Sequence, residues 1–188
     1  MGIRGEEKMT SKEYVKILDW QSAIAAAELE LDKNKTNAAA SYPYRRTAKI
    51  KNTKIKNQIN AESYLRRGIA RCFIPDKEGK HKEAVEDLSK AIAINSNIQG
   101  ANNNEAYYYR AYAFYLDGDY EKAIAECEKI EKNNPCSYRD ELFGKIYFAM
   151  SKYGEAVDKF RRAINFQSTP SPGLLESYRE ACKRMNSV

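Results

Sequence analysis

One histidine and four cysteines are the side chains best suited to hold a metal or attack a substrate, and their placement supports neither. Cys72, Cys127, Cys136 and Cys182 form no C-x-x-C pair and fall in apolar stretches of helical spacing. They read as reduced, buried thiols rather than as a zinc site or a disulfide framework. His81 ends a stretch of turn formers, "IPDKEGKH", where its expected place is a turn. The pair Gly79-Lys80 lacks the upstream glycine and the following Ser or Thr of a phosphate-binding loop. No G-x-G-x-x-G, H-E-x-x-H or serine-elbow pattern occurs. The expectation is therefore a protein that is not an enzyme and has no metal and no cofactor.

Two other concentrations of side chains stand out. Between Asn104 and Ala123 lie six of the fourteen tyrosines, a cluster that is either a core or a surface made to hold something. Between Lys33 and Ala61 stand eight bases (Lys33, Lys35, Arg45, Arg46, Lys49, Lys51, Lys54 and Lys56) and no acid. The chain's formal charge of +6 thus belongs to one segment, and the remainder comes to −2. Arg45, Arg46, Lys49, Lys51, Lys54 and Lys56, with Tyr42 and Tyr44 nearby, have the composition that contacts phosphates and stacks on bases. Basic runs are also commonly solvated faces, or contacts to acidic protein. With no stretch near the roughly 18 apolar residues of a membrane span and no apolar leader at the start, a soluble, cytoplasmic protein is expected.

The elements that position these residues repeat. "GDYEKAIAECEKIEKNNP" has an echo in "SKYGEAVDKFRRAINFQSTP" and a weaker one in "GKHKEAVEDLSKAIAINSN". Each combines a tight turn, an aromatic or His, an alanine three residues on, and apolar residues at helical spacing. Upstream of each lies a further helical pattern with a small residue, Gly68, Ala111 or Gly144, four places after Tyr64, Tyr107 or Asp140. Small residues there, and Ala84, Ala123 and Ala156 on the following helix, let two helices approach closely. The pattern predicts one helical hairpin used three times.

These residues resemble the tetratricopeptide repeat, W-x2-L-G-x2-Y, A-x3-F and P over 34 residues. The middle copy carries it as Tyr107, Arg110, Ala111, Phe114, Ala123, Cys127 and Pro135, and the third as Asp140, Phe143, Gly144, Tyr147, Ala156 and Phe160. In the first, Gly68 and Ala84 are sixteen rather than twelve residues apart, so four residues are inserted between the helices. The expected fold is all-α, a helix-turn-helix array. An N-terminal helix and basic connecting segment occupy 1–60, three repeats occupy 61–170 (61–97, 104–136 and 137–170), and a C-terminal capping helix occupies 171–188. The N-terminal helix is expected from Ser11 to Lys33, with Thr10 and Glu13 as a capping box and an apolar stripe through Tyr14, Ile17, Leu18, Ile24, Ala25 and Leu31.

At helical spacing Tyr107, Ala111 and Phe114 share one face, expected in the hairpin interior. Tyr108, Tyr112 and Tyr115 share the neighbouring face, which the resemblance places in a concave, partner-binding groove. Its other expected residues are Glu62, Leu65 and Ile69 from the first copy, and Tyr138, Lys145 and Phe148 from the third. The carboxylate-clamp positions of chaperone-binding relatives read Leu65, Ile69, Tyr109, Tyr138 and Leu142 here, so a more apolar ligand is implied. The function expected is a non-enzymatic module binding a peptide segment or helix of a protein partner. The alternatives are a nucleic-acid-associated adaptor using the basic segment, and a scaffold whose groove is filled by its own N-terminus or by a second copy. No membrane partner is expected.

Overall fold

The computed structural model describes residues 22, 24–29, 31–33, 46–74, 80–96, 103–130 and 137–187. It divides into two compact units, Met1–Ile94 and Asn95–Val188. All regular structure among the described residues is helical.

In the first unit α1 spans Arg46–Cys72 and α2 spans Lys80–Asn95, and residues 24–29 and 31–33 are helical. In the second, α3 is Asn104–Leu116, α4 Tyr120–Lys129, α5 Ser137–Ala149, α6 Tyr153–Asn165 and α7 Pro172–Met185. The basic segment read as a connection is thus helical from Arg46, in one piece with the first-repeat helix. His81 is a correction of the same kind, since it lies within the first turn of α2 rather than in a turn between helices. Thr10, Glu13, Tyr14, Ile17 and Leu18 fall outside the described residues. Leu31 is buried as expected of an apolar stripe, but Ala25 is exposed and Ala27 takes the buried position.

Each hairpin closes on its small residue. A Cβ added at Gly68 would lie 2.7 Å from Leu88 Cγ, and one at Gly144 would lie 2.5 Å from two ring carbons of Phe160. Where the middle repeat has Ala111 instead of glycine, the facing position holds the smaller Cys127, and both are fully buried in one cluster with Ala123. An added methyl on one helix is matched by lost volume on the other, as close packing requires.

A second ladder runs along the seam between paired helices, at the same spacing in each hairpin. The residue before the small one faces the residue three after the alanine. Arg67 donates to both carboxylate oxygens of Asp87 at 2.7 Å, Arg110 donates to Glu126 at 2.6 and 2.9 Å, and the Lys159 ammonium sits 4.5 Å from the Phe143 ring centroid. Six residues after each alanine is a cation that meets the opening position of its own repeat. Lys90 lies over Tyr64 at 5.7 Å, Lys129 over Tyr107 at 5.8 Å, and Arg162 pairs with the buried Asp140 at 3.4 Å. The four-residue insertion of the first copy leaves both contacts in place, because it falls between the helices.

Turn chemistry sets the hairpin angle. Gly118 holds φ 80° between α3 and α4, and Ser151, a residue with a Cβ, holds φ 60° at the matching place before α6. Asp119 then caps α4, accepting from Lys122 N at 3.3 Å, and Ser171 caps α7, accepting from Leu174 N at 3.2 Å with Pro172 in the first turn. Leu174 and Ala181 are buried against Ala156, Val157, Phe160 and Ala163, so α7 covers the third hairpin.

Burial pushes the thiols of Cys72 and Cys127 up to about 12. Two consequences are expected. Neither thiol should be alkylated at pH 8 until the protein is unfolded, as peptide mass mapping would show. Because the folded pKa exceeds the unfolded value, the stability these thiols contribute is complete below pH 9 and should be lost as pH rises from 9 towards 12. Chemical denaturation across that interval, with a Cys127→Ala comparison, measures it.

Candidate functional site

The second stripe of α3 meets the first helix of the next repeat. The rings of Tyr108 and Tyr138 stand edge to face, with centroids 5.0 Å apart, and Tyr109 meets Tyr108 in the same way at 5.1 Å. One turn further on, Tyr112 stacks on Tyr115 at 6.1 Å, and Tyr115 lies 6.2 Å from Tyr120. Tyr108, Tyr109, Tyr112, Tyr115 and Tyr120 are partly buried, and Tyr108, Tyr112 and Tyr115 rest on the cluster built by Ala111, Cys127, Leu142, Phe143 and Ile146. Each ring therefore has one side fixed by the core. Burial, and then the Glu141 carboxylate, hold the Tyr108 phenol well above the usual tyrosine range.

On α5, Tyr138 is 41% exposed, Glu141 pairs with Lys145 at 2.7 Å, and Phe148 meets Tyr153 edge to face at 5.4 Å. The structure thus brings Tyr108, Tyr112, Tyr115, Tyr138 and Lys145 onto the adjoining helices α3 and α5, with Phe148 at the far end of α5 beside α6. Glu62, Leu65 and Ile69 belong to the first unit. There Leu65 and Ile69 are half-buried, and Glu62 accepts from Arg66 at 3.0 Å. Arg46, Lys49, Lys51, Lys54 and Lys56 lie in the first turns of α1, and Arg45 lies outside the described residues.

Tyr107, expected in the hairpin interior, sits half-buried at the seam instead, with the Arg110 guanidinium 5.6 Å and the Lys129 ammonium 5.8 Å from its ring. An amphipathic phenol fits a boundary with cations better than a dry core. Phe114 and Ala111 do pack in the cluster. The charged seam partners Asp87 and Glu126 were missed as such. Their signal was present, because both stand three residues after the repeat alanine and face an arginine standing one before the small residue.

The first unit contains a polar cavity of about 240 Å³ lined by Glu28, Leu31, Asp32, Tyr64 and Arg67. Glu28 reaches Arg67 at 3.4 Å across it. Among the described residues, no group of three or more His, Cys, Asp or Glu side chains is placed to hold a metal ion, and no helix is long and apolar enough to cross a membrane.

Residues 87–163 match the family model described as anaphase-promoting complex, cyclosome, subunit 3, a family of tetratricopeptide-like repeats. The matched stretch runs from the seam aspartate of the first repeat through the second and third hairpins. Over that stretch the helical hairpins are of the tetratricopeptide type. Comparisons with curated proteins and with solved structures find no match. Tetratricopeptide-like repeats generally mediate protein–protein interaction and are typically non-enzymatic.

Proposed function

We propose that the chain is a cytoplasmic adaptor whose second unit captures a peptide segment or helix of a partner protein on the tyrosine face of α3 and α5. The observation that carries this reading is the aromatic network joining Tyr108 to Tyr138 across two repeats, rigid on the core side and only half covered. Rings already fixed in place lose little entropy on binding, and their hydroxyls can meet the backbone of an extended segment. The one charge pair of the face, Glu141 with Lys145, is mutually satisfied. This face therefore favours an uncharged, apolar or hydroxyl-matched segment over an acidic tail.

The test is affinity capture from native lysate, read by mass spectrometry, with nuclease present throughout. Wild type is compared with Tyr138→Ala and with the triple variant Tyr108→Ala, Tyr112→Ala and Tyr115→Ala. Each true anchor should cost about 2 kcal/mol or more, so a genuine partner disappears from the variants. Because the three α3 tyrosines also touch the core, the corresponding Tyr→Phe triple variant, which preserves packing, separates lost contact from lost fold. A partner profile unchanged in both Tyr138→Ala and the alanine triple would exclude the face.

A further inference from the structure

The second unit contains thirteen acids and thirteen bases and is formally neutral, so the whole +6 of the chain resides in the first unit. Within that unit the charge is concentrated further. Residues 46–58, the amino-terminal half of α1, hold five bases and no acid. α1 has 27 residues and its hairpin partner α2 has 16, lengths of about 40 and 24 Å. Tyr64 lies opposite Lys90, so in antiparallel register α2 ends at Asn95 level with about residue 59. The basic half of α1 extends past the hairpin by about 20 Å.

We propose that this helical arm binds nucleic acid through its phosphate backbone. Three features of the arm select that partner. Positions 46, 49, 51, 54 and 56 recur at intervals of three and two, so at 100° per residue they spread over about 220° of the circumference instead of forming one seam, and Ala48, Ile55 and Ile59 share the remaining side. A helix docking on one acidic protein face would need its cations along one side, whereas a helix in a groove meets phosphates on both. The five bases span ten residue steps, about 15 Å or one cation per 3.8 Å of helix axis, near the one charge per roughly 3.4 Å of axis that a single strand of a duplex carries. Of the eight other positions in 46–58, Thr47, Asn52, Thr53, Asn57 and Gln58 are neutral hydrogen-bonding types of the kind that contacts phosphate oxygens and base edges, and Ala48, Ile50 and Ile55 are apolar. The first turn of α1 also lacks an acid, which sets cations at the positive end of the helix dipole, an arrangement that an external anion relieves.

The experiment is fluorescence anisotropy of a labelled DNA duplex, a labelled single-stranded RNA and labelled poly-glutamate, each titrated with the full chain over a series of salt concentrations. Five phosphate contacts predict a slope of about −4.5 in log affinity against log salt for the duplex, roughly a 500-fold loss over a fourfold rise in salt. The slope is shallower, about −3.5, if the single strand is the ligand. Replacing Arg46, Lys49, Lys51, Lys54 and Lys56 with Gln should abolish that binding. The tyrosine triple variant, whose substitutions lie in the formally neutral unit, should bind the nucleic acid as wild type does. The proposal is overturned if neither nucleic acid binds at low salt, if binding is insensitive to salt, if the glutamine variant binds equally well, or if poly-glutamate is the preferred ligand. None of these results bears on the tyrosine face, which is tested in the presence of nuclease.

Discussion

Gly144→Ala is expected to destabilise the protein, although it replaces a poor helix former with the best one. On propensity alone the change in mid-helix should add about 1 kcal/mol. At this site the new methyl would stand 2.5 Å from Cδ1 and Cε1 of Phe160, a ring that is 1% exposed and enclosed by Val157, Ala163 and Leu174. Overpacking of a closed core costs about 1–3 kcal/mol, and an overlap this deep belongs at or beyond the upper end. A net loss of about 2 kcal/mol is expected by urea denaturation. Two further variants make the cause readable. Gly154→Ala, in the same hairpin with nothing within 4 Å but second in α6, should be stabilising by part of the propensity term. Gly144→Ala placed on Phe160→Ala should cause no additional loss, because the cavity accepts the methyl. Equal effects of the two glycine substitutions would mean that the helices do not approach as closely as described.

Asp87→Ala should be the most damaging single change in the first unit. The carboxylate is 1% exposed, holds Arg67 through two bonds of 2.7 Å, and also accepts from Arg71, so two guanidiniums share one acid. Both arginine side chains are only 14% exposed, and Glu28 and Glu83 supply the remaining anions, Glu83 at 3.0 Å from Arg71. Removing Asp87 leaves two half-desolvated cations side by side on α1, one turn apart, without the buried acid that they share. Breaking one side of such a buried pair costs about 3–5 kcal/mol. By contrast, Glu62→Ala, which breaks the exposed pair with Arg66, should change stability by less than about 1 kcal/mol. A joint replacement of Asp87 by Leu, Arg67 by Leu and Arg71 by Met should recover most of the loss, since the cost lies in the orphaned charges. Circular dichroism during denaturation reads both effects. An Asp87→Ala protein as stable as the Glu62→Ala one would contradict the seam.

Much of this was legible beforehand because the hairpin is a local object. Gly68, Ala84, Ala111, Ala123, Gly144 and Ala156 mark where backbones must come close, and steric contact is a property of residue size that spacing alone reveals. The tyrosine stripe was legible as a stripe for the same reason. Its partner across the repeat boundary was not, because whether Tyr138 meets Tyr108 depends on how one hairpin stacks on the next. Tyr107 was misplaced because the periodicity assigns a face but not the cations that the neighbouring helix brings to it.

The sequence by itself determined the class of fold, the three-copy repeat, the site of the four-residue insertion and the segregation of positive charge, all of which follow from spacings within a few helical turns. The tertiary structure decided which charges are shared and which rings touch. Asp87 lies twenty residues from Arg67, and Tyr138 thirty from Tyr108. At such separations contact is fixed by helix packing angles and turn geometry, to which Gly118 and Ser151 contribute, rather than by any local pattern. The extension of the basic arm past its hairpin is of the same kind, since it is the register of α1 against α2, not the composition of either helix, that carries those positions beyond the packed repeat.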